Sequence, residues 1–159
     1  VVVLQREPLG KPQIQFDPAS VGNLPIGKDE IYKIFFHGPA YQVIEQASVV
    51  GERTVAIMPS SLPPNSLPAE VTTKMAPRLV ELCIQCAALW STKCKNAMAL
   101  PSGIDSLTVY RQPEEANGQR LYALVCAVED GKGYDAQVVD ESGNLYVDLK
   151  GYRTVSMAG

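Results

Sequence analysis

Two hydrophobic patterns organise the chain. Between Leu79 and Trp90, in "LVELCIQCAALW", only Glu81 and Gln85 are polar. A helix that is apolar on nearly every side is a buried helix. The pattern therefore predicts a helix from about Pro77 to about Cys94, with Pro77 at its first position, wrapped by the rest of the fold. The other pattern is β-type. "YQVIEQASVV" and "RTVAIMP" flank Gly51-Glu52 and predict a hairpin. Further strands are expected at Ser106–Arg111, Leu121–Val128, Asp135–Val139 and Asn144–Leu149, with a last one at Arg153–Met157. "DESGN" supplies a turn between two of them. "GKDEIYKIFF" reads as a short helix that has acidic residues in its first turn and stops before Gly38-Pro39. The inventory is one long helix and five or six mostly antiparallel strands, an α+β arrangement.

Residues 1–27 carry Pro8, Pro12, Pro18 and Pro25 and read as a lead-in or linker segment, with "VVVLQ" as an edge strand. Residues 28–159 form the single domain. The 159-residue length suits one domain with a real core. The sequence starts without Met and without the pattern of a signal peptide, so it reads as a piece of something longer. A net charge of -3 gives no electrostatic reason to expect nucleic acid. No apolar run is long enough to span a bilayer.

Of the four cysteines, Cys83, Cys86 and Cys94 fall in one predicted helix, where several disulfides are hard to form. A reduced, cytoplasmic protein is the expectation. "CIQC" lacks a second ligand pair, and its cysteines read as small apolar residues of a buried helix rather than as a metal or redox site.

Glu81 and Gln85 are four apart and so share one face of the helix. Burying a carboxylate costs several kcal/mol unless it is paired, hydrogen-bonded or protonated. Periodicity leaves two readings open: a pocket, or an edge of the helix that reaches water. His37, in "FFHGPAYQ", is the only histidine in the chain and so the main candidate for acid–base chemistry near neutral pH.

Three segments, in order, resemble motifs of dehydratase domains in modular polyketide synthases. "HGPAYQ" is similar to their Y-G-P-x-F-x-G segment. "APRLVELCIQ" is similar to their H-P-x-L-L-D-x-x-L-Q helix start, and "ALPSGIDSLTVYR" to the L-P-x-x-W-type strand that follows. "FFHGPAYQ" also resembles dehydratase-like regions of polyunsaturated fatty acid synthases. The resemblance implies a double-hotdog relative, with an antiparallel sheet wrapped around one long central helix, and these motifs belong to its second, C-terminal hotdog. It implies removal of water from a 3-hydroxyacyl group carried by the phosphopantetheine arm of acyl carrier protein, with no other cofactor. In the family a first-hotdog histidine takes the α-proton, an aspartate on the second helix protonates the leaving hydroxyl, and a Gln four residues on positions it. Glu81 stands at the aspartate position and Gln85 at the Gln position. Ala76 stands where the family has His, and His37 where it has Tyr. The base motif H-x-x-x-G-x-x-x-x-P is absent. His37 is therefore expected to be a turn or pocket-wall residue, with Glu81 its only partner should it act.

Three functions follow from these readings. The chain is a dehydratase half, inactive alone, beside other megasynthase domains; or a non-catalytic domain that binds acyl chains or braces the megasynthase; or a stand-alone hotdog thioesterase or hydratase. An unpaired sheet edge also predicts a homodimer formed through the sheet.

Overall fold

Eight strands and two helices follow one another along the chain in a computed structural model that describes residues 10–71 and 73–157. The predicted edge strand in "VVVLQ" lies outside those residues. Helix α2, Pro77–Lys95, is the long one. Pro77 opens it, where a missing N–H costs nothing. Asn96 closes it in the left-handed conformation, φ 49°, and Lys93 and Lys95 sit in its last turn, where cations suit the helix dipole. Leu79, Leu82, Cys83, Cys86 and Leu89 have no exposed surface.

The sheet that wraps α2 contains β1 (Ile26–Gly27), β2 (Gln46–Val50), β3 (Arg53–Ile57), β4 (Ala99–Gly103), β5 (Ser106–Val109), β6 (Leu121–Val128), β7 (Gly133–Asp140) and β8 (Leu145–Ser156). Their order is β1-β2-β3-β6-β7-β8-β4, with β5 also on β8, and every pairing is antiparallel. The register places Ala47, Ala56 and Ala123 in one row across β2, β3 and β6, continued by Val138 and Val147. The three alanines are fully buried in the core that contains α2. Small side chains in that row leave room for a helix whose own surface is bulky.

The opposite face of the sheet is covered by the lead-in segment. Ile14, Phe16 and Val21 pack on Tyr122, Val139 and Leu145, with the Phe16 and Tyr122 rings 5.2 Å apart. The segment is held at the β7–β8 turn, where Ile14 N–H donates to the Gly143 carbonyl (2.8 Å) and Leu145 N–H to that of Pro12 (3.0 Å). Gly143 has φ +81°, and a Cβ there would meet the Ile14 carbonyl oxygen at 2.3 Å, so only glycine fits.

Several expectations need correction. Among the described residues there are eight strands, not five or six. The expected strands Asn144–Leu149 and Arg153–Met157 are one strand, β8, which passes through Gly151 at φ +63° with register shifts against β7. That is how a glycine accommodates a bulge without ending a strand. Periodicity places no strand at β4, which falls within the "ALPSGIDSLTVYR" resemblance; its Pro101 lies at the sheet edge, where proline is tolerated. Residues 41–45 are not strand: Pro39–Tyr41 is a 3-10 turn and β2 begins only at Gln46.

Candidate functional site

Helix α1, Lys28–Ile34, has Asp29 and Glu30 in its first turn and buries Ile31. It ends at Phe35, and the chain then crosses α2 as "FFHGPAYQ". The turn Pro39–Tyr41 closes with Tyr41 N–H donating to the Gly38 carbonyl, 3.0 Å. Gln42 Nε2 donates to the His37 carbonyl, 3.1 Å. This crossing brings His37 onto Glu81, 44 residues away in sequence.

His37 Nε2 lies 3.0 Å from Glu81 Oε1. Gln85 Nε2 donates to the same oxygen at 3.2 Å. The three candidates named by the sequence therefore form one cluster. Gln85 is 1% exposed, whereas the Glu81 and His37 side chains keep 25% and 23% of their surface. Of the two readings of the Glu81–Gln85 stripe, neither holds alone: Gln85 is inside and Glu81 is at the margin. Along α2 the half-exposed positions are Arg78, Val80, Glu81, Ile84, Ala88 and Thr92, so the carboxylate lies on the side of the helix that the sheet leaves open.

The polar chain continues inward through a residue that the sequence did not single out. Tyr32 O–H donates to Gln85 Oε1 at 2.7 Å, and the Tyr32 oxygen accepts from Ile44 N–H at 2.9 Å. Gln85 Nε2 also donates to the Tyr41 carbonyl, 2.9 Å. Burial pushes the Tyr32 phenol well above its usual range, with smaller upward contributions from Cys86 and Glu81, so it stays a donor. Nothing in "KDEIYKI" marks Tyr32 as special, since its role depends on a contact 53 residues along the chain.

The His37 ring is boxed by aromatics. Phe36 stacks on it at 5.3 Å and 6°, while Phe35 and Tyr32 meet it edge-on at 5.9 and 6.4 Å. Phe36 is itself 93% exposed. His37 Nδ1 is buried and has no partner among the described residues. With Nε2 on Glu81 and Nδ1 covered, neither ring nitrogen is free to meet a ligand. Ala76, at the position of the family histidine, is buried at the start of α2 with φ 44° and brings no polar group.

A cleft of about 810 Å³ opens at the start of α2, lined by Tyr41, Met58, Leu62, Arg78, Gln112 and Arg120 among others. Glu81 lines neither this cleft nor the smaller one beside Gly38–Tyr41. Arg78 donates to the Pro63 carbonyl and to Glu70 (3.3 Å), which fastens the segment over the cleft. Cys83 and Cys86 are fully buried; burial pushes the Cys83 thiol up to about 12 and Cys86 well above its usual value. They serve as small core side chains. Among the described residues no cluster of three or more His, Cys, Asp or Glu side chains could hold a metal ion, and no helix is long and apolar enough to cross a membrane.

A sheet wrapped around one long helix, with a carboxyl–amide pair one turn apart on that helix, defines a hotdog-type domain. The comparisons name the family. A family model described as the polyketide synthase dehydratase N-terminal domain matches residues 22–158, and the chain belongs to that family. No curated protein sequence matches it. Among solved structures, a trans-AT polyketide synthase dehydratase domain from Brevibacillus brevis is similar at TM-score 0.73 and 19% identity, over 96% of this chain and 56% of that one. The dehydratase domain from the CurF module of the curacin polyketide synthase gives 0.68 and 20%, over 96% and 56%. An inactive Asp-to-Asn mutant of the CurK dehydratase gives 0.71 and 21%, over 95% and 55%. These likenesses establish the hotdog fold. The chain spans little more than half the length of the solved domains it matches.

Proposed function

We propose that the chain is the second half of a double-hotdog dehydratase, which supplies the proton donor for removal of water from 3-hydroxyacyl groups on acyl carrier protein. The observation that carries this reading is the Glu81–Gln85 pair, one turn apart on the wrapped helix of a polyketide synthase dehydratase family member. In the reaction a base takes the α-proton, the C–O bond at the β-carbon breaks as the C=C bond forms, and Glu81 gives its proton to the departing hydroxyl as water leaves. Gln85 holds the carboxyl in place. The base comes from the other half, since His37 has no free ring nitrogen. The position of Glu81 on the open side of α2 supports a site completed from outside this sheet. The matching family model is described as an N-terminal domain; placement as the second half rests on the H-G-P-A-Y, E-x-x-x-Q and L-P-S motifs. That an Asp-to-Asn change inactivates the CurK dehydratase supports a carboxyl in this role. The partners proposed are acyl carrier protein and neighbouring megasynthase domains, in the cytoplasm.

Turnover of a 3-hydroxyacyl-carrier-protein substrate tests the reading, with the 159-residue chain assayed alone and joined to its upstream neighbour. The isolated chain should be inactive and the joined one active. Glu81→Gln in the joined chain should lower kcat by roughly 100- to 10,000-fold, the usual range for one acid–base group. Unchanged turnover in Glu81→Gln overturns the role of Glu81. Full turnover by the isolated chain overturns the half-site. One observation favours a non-catalytic dehydratase-like domain instead: Ala76 in place of the family histidine. An active joined chain excludes it.

A further inference from the structure

The hydrogen bonds around Glu81 are directional, and both ends are fixed by backbone groups. The Tyr41 carbonyl can only accept, so the Gln85 amide must turn its NH2 toward it. That same NH2 donates to Glu81 Oε1. The Gln85 carbonyl then faces Tyr32, which must donate its O–H because an amide oxygen can only accept, while the phenol oxygen accepts from Ile44 N–H. Oε1 is therefore an acceptor. An oxygen that accepts from an amide is the carbonyl-type oxygen of a carboxyl group, not the one that bears the proton. No described residue donates to Oε2, and Oε2 is not among the buried unpartnered atoms. The remaining neighbour of Oε1 is His37 Nε2, at 3.0 Å.

We infer that His37 is a positioning residue: its Nε2–H donates to Glu81 Oε1, so that with Gln85 it fixes the carboxyl and leaves Oε2 as the oxygen that holds and delivers the proton. This rests on the proposed role of Glu81. His37 takes no proton from substrate. Phe36 stacked on one face, with Phe35 and Tyr32 at its edges, holds the ring in the plane the bond needs. In the neutral ring, a bond donated to Glu81 puts the proton on Nε2, and Nδ1, which has no partner among the described residues, is the bare nitrogen.

The single histidine makes the test direct. In the 159-residue chain labelled with ¹⁵N-histidine, the ring spectrum at pH 8 should show Nε2 protonated. A spectrum in which Nε2 is the unprotonated nitrogen overturns the inference. In the joined, active chain, His37→Phe should lower kcat about 10- to 100-fold with little change in KM, the range expected when a reacting group is displaced. His37→Gln, which returns an N–H near the Nε2 position, should recover most of that loss. If His37→Phe leaves kcat unchanged while Glu81→Gln abolishes turnover, the inference fails and the functional reading stands. If Glu81→Gln leaves turnover unchanged, the functional reading fails, and the tautomer still decides whether His37 donates to the carboxyl.

Discussion

Tyr32→Phe removes one oxygen and leaves two buried groups unpaired. The phenol oxygen accepts from Ile44 N–H at 2.9 Å and its proton goes to Gln85 Oε1 at 2.7 Å. Ile44 is fully buried and Gln85 is 1% exposed, so water has little access to either. An unsatisfied buried donor or acceptor costs about 1–3 kcal/mol, whereas the Phe ring keeps nearly all the packing of the Tyr ring. The two losses together come to roughly 2–6 kcal/mol, a large part of the 5–15 kcal/mol that holds an average domain together.

Urea unfolding measures this. With a slope of about 2 kcal/mol/M, a loss of about 3 kcal/mol moves the midpoint by roughly 1.5 M. Tyr41→Phe is the matched control. The Tyr41 hydroxyl bonds to no described residue; its N–H, its carbonyl and its ring are used, the ring by Arg78, whose guanidinium carbon lies 5.9 Å from the centroid. That variant should stay within about 0.5 kcal/mol of the parent. A Tyr32→Phe midpoint no lower than that of Tyr41→Phe refutes the polar chain as described, and with it the orientation assigned to Gln85.

Three other outcomes are expected. Burial raises the Asp140 carboxyl, but donation from Asn144 Nδ2, the Tyr146 hydroxyl and the N–H groups of Asn144 and Ser142 outweighs it and holds the group below the usual carboxylate range. A depressed folded value contributes stability above the unfolded value of about 3.9 and loses it as pH falls through the folded one. Asp140→Asn should therefore be less stable at pH 6 with the gap narrowing at pH 3; a constant gap counts against this. Thiol labelling of the native chain should reach exposed Cys94 first and Cys126 slowly, and reach Cys83 and Cys86 only after unfolding; rapid native labelling of the helix pair contradicts their burial. The isolated chain should pair through its sheet, where β1, two residues long, and β4, with half-exposed Leu100 beside half-exposed Val155, form the edges. Sedimentation as a monomer at every accessible concentration argues against it.

The parts of this fold that could be read in the sequence are those governed by local period. The helix from Pro77, the hairpin at Gly51-Glu52 and the strand Leu121–Val128 depend on side-chain spacing and turn residues, and each appears where expected. The failures share a cause in tertiary context. Pro101 is tolerated because β4 is at the edge, and Gly151 is absorbed by a strand long enough to hold both β5 and β4. Residues 41–45 have the composition of a strand, but their backbone is already in use: the Tyr41 carbonyl accepts from Gln85, and Ile44 N–H donates to Tyr32. Side chains of the site compete with the sheet for those groups. Within the site, spacing alone puts Glu81 and Gln85 together. No spacing rule connects Tyr32 or His37 to a helix that starts more than 35 residues later.

That last contact makes sense of two departures from the family pattern that look like separate defects in the sequence. The resemblance expects an aspartate at position 81 and a tyrosine at position 37, and this chain has Glu81 and His37. A glutamate carries its carboxyl one methylene further from the helix, far enough to disturb a site whose geometry matters on the scale of an ångström. A longer carboxylate is also freer to turn, and freedom in the reacting group raises the entropic cost of the productive pose. Here the carboxyl meets a ring nitrogen at 3.0 Å, and that ring is held by three aromatic neighbours. His37 thus removes the freedom that the extra methylene adds. On the role proposed for Glu81, the two departures are coupled through one hydrogen bond. Ala76, where the resemblance expects a histidine, brings no polar group to the start of α2.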